Sequence, residues 1–538
     1  MGKHVAARWK IGTYMPARRR RYDSFTPSRR IGSIVSSLFS ANSAVVKKNR
    51  KLQKRPYIFQ QLMGVKTVAF EFLLTTRVSV RSVLVAAMPR QVHLWFRSNF
   101  WLVLAWSCFW ACSDYCLASD ELLYTHELVA AADDTEFLVQ IEAGAPGTSW
   151  EESGRECGVL KVVIEARYDQ HVLLFGGEHV TSYAFLAGPL PRGRHTLQIL
   201  WDKTWTRDLQ ERPAVLSLRA AALDRKNEAQ EPLLRAPILY LRNNTIGRFS
   251  DVPLILYWER QHSPSPRLAY TVIFSNEDGG TDTERLMARW GRTTDIEWCY
   301  SYTQDENNPI EQYQGRNHET LPFRGRKEGW HPILYDVTTN NNFSDSLSDP
   351  IDFRMRPAPV EARLEGRSRE SVMDQFPWTY AIMAEEMIRE EKLEYPADPG
   401  SPNVSDLRNY AYLDVCSEQR GTELYFAVLL KGNERWFRSD HGDPGSGIER
   451  SGCVRSTVEL PPGTRPHDIR TLRIHCRPAP VPEGKMPVPS PAAEIRSVLR
   501  LFLLEKDYRP GQNLLERVVG RRLRPGQSLA LSPDSIPR

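Results

Sequence analysis

Acidic residues are almost absent from the first 87 positions, where only Asp23 and Glu71 stand against 18 Lys and Arg, a net of +16. Because the whole chain carries +6, everything after this leader carries −10. The basic balance therefore belongs to the leader alone. It reads either as a basic arm for nucleic acid or a membrane surface, or as sequence upstream of the true start. Ser28-Arg29-Arg30 faintly resembles a twin-arginine signal, but the apolar run that follows is closed by Lys47-Lys48-Asn49-Arg50-Lys51, the wrong charge. Cysteine is scarce as well, with 8 in 538 residues. Cys108, Cys112 and Cys116 fall in one apolar segment, leaving Cys157, Cys299, Cys416, Cys453 and Cys476. That remainder is odd, so at least one thiol is free or pairs between chains, and it contains no CxxC or Cys/His spacing of a zinc site. The chain also lacks a GxSxG elbow, an HExxH helix, a P-loop and a dinucleotide fingerprint after a strand. These absences exclude nucleotide-dependent chemistry and the standard serine hydrolase and zincin mechanisms.

What is present begins at residue 88. Met88, Arg90 and Arg97 precede an apolar block from Phe100 to Cys112 and the small-residue site Cys116-Leu117-Ala118. This is the order of a secretory signal peptide. The block is too short to span a bilayer, which takes about 20 apolar residues. The expectation is an exported protein, secreted or periplasmic, whose mature chain starts near residue 119 and which touches a membrane only through its signal. Residues 1–87 would then not belong to the mature protein. A lipoprotein alternative is poorly served, since Phe109-Trp110-Ala111-Cys112 meets only the end of a lipobox.

The mature region predicts a mainly β fold: an N-terminal antiparallel β-sandwich followed by a larger β-rich domain with at least one amphipathic helix. From Glu121 to Leu223, short alternating runs such as EFLVQIEAG, VLKVVIEAR and HTLQILWD are separated by turn signals at Gly176-Gly177 and Pro191-Arg192-Gly193. No helical period intervenes. The sandwich is thus expected over 119–223, and a charged linker over 224–232 (DRKNEAQEP). The main domain is expected over 233–538, with a division near 353. After Pro377, the residues Tyr380, Met383, Ala384, Met387 and Ile388 form one apolar helix face, expected to pack on a sheet.

Two polar stretches carry the candidate chemistry. Directly after the apolar run YTVIF come Asn276, Glu277, Asp278 and Asp282, hard oxygen ligands spaced by Gly279 and Gly280. A calcium loop, with Glu277, Asp278 and Asp282 as metal ligands, competes here with an ordinary hairpin turn. Next, TDIEWCYSY read as a strand places Asp295 and Glu297 on one face and Ile296, Trp298, Tyr300 and Tyr302 on the other. Carboxylates at i and i+2 lie roughly 7 Å apart at Cα, a separation that a glycosidase pair can use. Asp295 and Glu297 are therefore candidate catalytic residues, with His331 as a third. Arg289 and Arg292 could keep them ionised, and with Trp290 and Trp298 form a candidate binding set. The alternative is an aromatic core face backed by a salt-bridged polar one. Trp330-His331-Pro332 with Asp336, and Asp440-His441-Gly442-Asp443, also set a histidine among carboxylates.

Residues 236–302, from APILYLR through FSNEDGGTDTERLMARWGRTTDIEW, resemble a pattern carried by exported bacterial proteins of unassigned function. The resemblance implies that the middle segment is the defining domain and the sandwich an accessory. Together these readings predict an exported multidomain β-protein that binds a polymer, a glycan or cell-envelope polymer, and no nucleic acid. Trp201, Trp205 and Trp258 join the candidate stacking platforms. The alternatives are a glycan hydrolase or lyase using the clustered carboxylates, with or without calcium, and a structural envelope protein.

Overall fold

The computed structural model describes residues 120–533, apart from 207, 210, 243–250, 262–265, 278, 305–307, 348–351 and 482. The stretches expected to be leader (1–87) and signal (88–118) lie outside the described residues. Within them the protein is mainly β, with several antiparallel sheets and few helices.

Seven strands build the N-terminal sandwich: β1 (Glu121–Ala130), β2 (Thr135–Gly144), β3 (Gly158–Ile164), β4 (Arg167–Leu174), β5 (Thr181–Leu190), β6 (Gly193–Trp201) and β7 (Ala214–Ala222). Their sheets have the orders β1-β6-β3-β4 and β5-β2-β7. The period-two pattern explains the packing. Phe137, Val139 and Ile141 of β2 meet Leu160 and Val162 of β3 and Leu197 and Ile199 of β6 in one core. Trp201 belongs to that core, only 6% exposed, and Trp205 packs edge-on against Phe353. Neither offers an open stacking face.

The segment 224–232 is not a free tether. Arg225 pairs with Glu136 at 3.0 Å, Asn227 caps a short 3-10 turn, and helix α1 (Glu231–Leu234) follows at once. The middle region then adds eleven strands: β8 (Ile238–Tyr240), β9 (Pro253–Gln261), β10 (Arg267–Phe274), β11 (Ile296–Thr303), β12 (Ile310–Gln314), β13 (Thr320–Pro322), β14 (Lys327–Glu328), β15 (His331–Asp336), β16 (Phe343–Ser344), β17 (Arg354–Met355) and β18 (Val360–Glu361). One sheet runs β13-β12-β11-β10-β9-β18; the other runs β14-β15-β8-β17, with β16 on β15. Helices α2 (Thr283–Trp290) and α3 (Trp378–Arg389) complete it. As the sequence predicts, α3 starts after Pro377 and buries Tyr380, Met383, Ala384 and Met387.

The last eight strands form a second sandwich: β19 (Tyr410–Arg420), β20 (Thr422–Leu430), β21 (Trp436–Arg438), β22 (Gly452–Glu459), β23 (Ile469–Pro478), β24 (Ala492–Leu503), β25 (Arg517–Leu523) and β26 (Ser528–Leu531). Sheets β22-β19-β24-β25 and β21-β20-β23-β26 enclose a core that begins at Ala411. Phe353 and Met355 share a core with Tyr410 and Tyr412, so the change of core falls near 410 rather than near 353. Cys416 and Cys453, cross-strand partners on β19 and β22, form a disulfide. Cys157, Cys299 and Cys476 are buried thiols.

The N-terminal sandwich leans on the middle region. Trp150, Cys157, Val159, Leu173 and Leu186 belong to the middle core, and residues 356–358 pair with the outer edge of β5 through Leu186 N–H to Arg356 O (2.9 Å) and Ala358 N–H to Ala184 O (3.0 Å). An isolated 121–223 fragment would expose those side chains and that edge, which is a template for strand pairing. We expect it to melt at least about 10 °C below the full chain, or to aggregate, since a few kcal/mol corresponds to that shift in a domain of this size. A thermal scan of the fragment showing a cooperative transition at the full-chain temperature would disprove this dependence.

Candidate functional site

The two polar stretches converge, because α2 turns the chain back between β10 and β11. Gly291 ends α2 in the left-handed region (φ 63°), and a Cβ there would lie 2.6 Å from Arg455 Cγ, so only glycine fits. Beyond this turn Arg292 sits 3.5 Å from Asp295 Oδ1 and 3.9 Å from Glu277 Oε2. Asn341 donates to Asp295 Oδ2 (3.0 Å) and to Asp251 Oδ1 (2.8 Å), and Arg242 pairs with Asp251 at 3.0 Å. Gln314 donates to Glu297 Oε2, and His318 Nδ1 lies 3.5 Å from the same oxygen. With its amide oriented to satisfy both neighbours, Asn340 donates to Glu277 Oε1 (3.0 Å) and accepts from His318 Nε2 (2.8 Å).

Burial separates the acids. Asp295 is 1% exposed, and burial, reinforced by the Glu297 and Glu277 charges, drives its carboxyl far above the usual range. Burial also pushes Glu277 up to about 7, against the pull of Arg292. At Glu297 burial is outweighed by the His318 bond, the Arg369 charge and the Gln314 bond, and its carboxyl falls below the ordinary value. His318, raised chiefly by Glu297, is half exposed and holds a left-handed backbone at φ 56°. Proton donor and acceptor are thus pushed apart, as acid–base chemistry requires. The carboxylates themselves are closed over, and His318 is where the cluster meets solvent.

The other expected residues go elsewhere. His331 is fully buried on β15, with Nδ1 2.7 Å from Ala236 O and Nε2 2.6 Å from Glu136 Oε2. It joins the middle region to the N-terminal sandwich, and its hydrogen-bond partners are Ala236 and Glu136 rather than Asp295 or Glu297. Asp336 pairs with Arg242 instead (3.3 Å). Trp290 is half-buried between Arg289 (4.8 Å) and Arg450 (5.2 Å), and Trp298 lies against Arg267 at 5.6 Å. Arg289 therefore does not support the carboxylates, whereas Arg292 does. The even alternation expected for TDIEWCYSY also fails. A bulge pairs Trp298 with Thr271 but Tyr300 with Tyr270, adjacent residues of β10, so the two rings face opposite ways and only Tyr300 is core.

The calcium reading is not supported by the ligands that can be placed. Asp278 lies outside the described residues. Asp282 stands at the N-cap position of α2 without a side-chain bond to the helix backbone and pairs with Arg285 (3.3 Å), and Gly279 and Gly280 pack against Thr339 and Asn340. Among the described residues no group of three or more His, Cys, Asp or Glu is disposed to hold a metal ion.

The second histidine stretch docks on α2. His441 Nε2 lies 2.8 Å from Glu284 Oε1, the Tyr410 hydroxyl donates to the other oxygen of Glu284, and Asp443 pairs with Arg285 at 3.3 Å. Glu284 escaped sequence reading because TERLMARW is barely two turns long and too short to display a helical period.

An open concave surface lies elsewhere. A groove of about 640 Å³ runs between the β3–β4 turn, the β5–β6 connection and β14. Glu165 and Ala166, at the turn, both hold left-handed backbones (φ 50° and 58°), the geometry of a two-residue type I′ hairpin made without glycine. Tyr168 is 38% exposed, and its hydroxyl accepts from Arg354 N–H at 3.0 Å. Arg354 donates to Asp169 O (3.0 Å) and to Glu328, tying β14 to β4. Nothing local in the sequence marks these residues, which meet only because β14 closes against the sandwich. A scan against protein-family models and a search of the curated proteins found no match to this chain.

Proposed function

We propose that this chain is an exported protein that binds a polymeric glycan in the groove between the β3–β4 turn and β14. The observation that carries the reading is the composition of that groove. The ring of Tyr168 and the faces of Pro189 and Pro191 provide apolar walls for sugar C–H faces. Glu165, Asp169 and Glu328 provide acceptors for hydroxyl groups, and Arg167 a donor. The Cys416–Cys453 disulfide supports an oxidising compartment, secreted or periplasmic.

The test is titration of the full chain with a panel of soluble polysaccharides, beside the double variant Arg167→Ala/Asp169→Asn. Both positions lie at the groove and outside the cores, so the melting temperature is expected to stay unchanged while affinity for the bound polysaccharide falls about tenfold, one lost polar contact's worth. Unchanged affinity, or no binding to any member of the panel, would remove the groove as a glycan site.

A second reading, a glycan hydrolase or lyase, is favoured by one observation only: the separated proton affinities of Glu277 and Glu297 beside the exposed edge of His318. Release of reducing or unsaturated ends that Glu297→Gln abolishes, with groove binding retained, would favour this reading over pure binding.

A further inference from the structure

The C-terminal sandwich presents an outer face lined by arginines and aromatic rings. On β20 the inward residues Leu424, Phe426 and Val428 are core, so Glu423, Tyr425, Ala427 and Leu429 face outward. Register across three strands then lines up the neighbours. Arg477 stands beside Glu423, His475 beside Tyr425, and Ala427 is flanked by Arg473 on β23 and Arg438 on β21. The next row sets Trp436 beside Leu429.

These side chains form stacks. The Tyr425 and His475 rings lie parallel, 4.5 Å apart and 2° from coplanar orientation. The Arg438 and Arg477 guanidinium groups sit 4.5 and 5.0 Å from the Tyr425 ring, and that of Arg473 sits 3.9 Å from Trp436. Asp440, fully buried, holds Arg438 at 2.8 Å and Arg477 at 2.6 Å, and Glu423 also pairs with Arg477. Arg473 forms no ion pair among the described residues. Arg438 spends Nε and Nη2 on Asp440 (2.9 and 2.8 Å) and Arg477 spends Nε and Nη1 on Glu423 and Asp440, so Arg473 is the guanidinium of the three with N–H groups to offer a ligand.

We infer that this face is a second binding site, for the acidic groups of a polysaccharide, with the guanidinium of Arg473 as the contact to a carboxylate or sulfate. With neighbouring strands about 4.8 Å apart, Arg473 and Arg438 arise from backbones about 10 Å apart. Arg473 carries its head from β23 across Ala427, which is 1% exposed, to lie on Trp436 of β21. Bidentate guanidinium contacts match planar carboxylate and sulfate oxygens. Two of the three arginines carry their own buried counter-carboxylates, and everything after the leader has a net charge of −10. The face is thus set up for spaced acidic groups rather than for the dense charge of nucleic acid, and the two aromatic rings are already stacked on each other and on arginines. This inference goes beyond the groove reading and uses none of its residues.

The experiment is titration of the full chain with polygalacturonate, heparin, neutral dextran and duplex DNA, at low and at physiological salt. Polygalacturonate or heparin is expected to bind at least about tenfold more tightly than dextran. Arg473→Glu is expected to weaken that binding at least about tenfold, because a charge-assisted contact is replaced by repulsion. Its melting temperature should fall only slightly, since the variant loses the contact with Trp436 but orphans no carboxylate. Arg473→Gln, which removes the charge without repulsion, gives the same answer if the reversal disturbs the fold. The inference is overturned if acidic polymers bind no better than dextran, if both Arg473 variants bind as the parent does, or if duplex DNA competes on equal terms. Arg473→Gln lies outside the groove and is expected to leave neutral-polysaccharide binding there as in the parent, so failure of the groove and failure of this face are read separately.

Discussion

Arg455→Ala is expected to destabilise the full chain by about 3 to 5 kcal/mol, the usual cost of removing one partner from a buried ionic network. Arg455 is fully buried. Its guanidinium meets Asp414 through Nε (3.0 Å) and Nη2 (2.8 Å), Asp374 at 2.9 Å, Glu370 O at 3.2 Å and the Tyr380 hydroxyl. The residue stands on β22 of the C-terminal sandwich, while Asp374 and Tyr380 come from the middle region. Removing it leaves Asp414, 3% exposed, with the Ser368 hydroxyl (2.7 Å) but no counter-charge, and leaves Asp374 to Arg500 (2.9 Å) and the Tyr380 hydroxyl (2.6 Å). The vacated stem also withdraws the contact that Gly291 makes at the end of α2. Urea unfolding followed by tryptophan fluorescence measures the loss. A change under about 1 kcal/mol would mean that the surrounding groups reach water or one another without it.

Stability is also expected to fall as pH rises from about 4.5 to about 7, with Glu277 as a principal cause. Its folded value, about 7, lies above the ordinary value of 4.5, so the folded chain holds the proton more tightly than the unfolded chain. That contribution is fully present below the unfolded value and is lost as pH climbs through the folded one. At 1.36 kcal/mol per unit the group contributes on the order of 3 kcal/mol. Glu385, also pushed up to about 7 by burial, acts in the same direction. Glu277→Gln mimics the protonated acid and keeps its shape, so the variant is expected to gain stability at neutral pH and to show a shallower pH dependence. Chemical unfolding of parent and variant across this window decides the point, and parallel curves would place the proton elsewhere.

Much of the architecture was legible because it rests on period-two burial that each strand carries by itself. EFLVQIEAG and HTLQILWD announce their inward residues without help from distant sequence, and Pro377 with the stripe from Tyr380 to Met387 announces α3. Glu277, Asp295, Glu297 and Arg292 stood out by residue type and spacing, but their convergence depends on the turn that α2 makes between β10 and β11. What escaped depends on partners far along the chain. His331 and Glu136 are 195 residues apart, and the strand pair β15–β8 is parallel and joined by a long excursion. His318 reaches the carboxylates from a turn beyond β12 that no local pattern distinguishes. The bulge at Cys299 defeated the alternation argument within a single strand, because one extra residue reverses every face after it.

The pairing of residues 356–358 with β5 also has a consequence in time. The chain is made from its N-terminus, so β5 emerges well before the segment that completes its edge. At about 5 to 20 residues per second, the interval between Leu190 and Pro357 lasts roughly 10 to 30 seconds. Over that interval the nascent sandwich carries an uncovered strand edge and the apolar faces of Trp150, Leu173 and Leu186. Synthesis therefore passes through a state in which the earliest module is the one most exposed to mispairing, and whatever slows translation between β5 and β17 prolongs it.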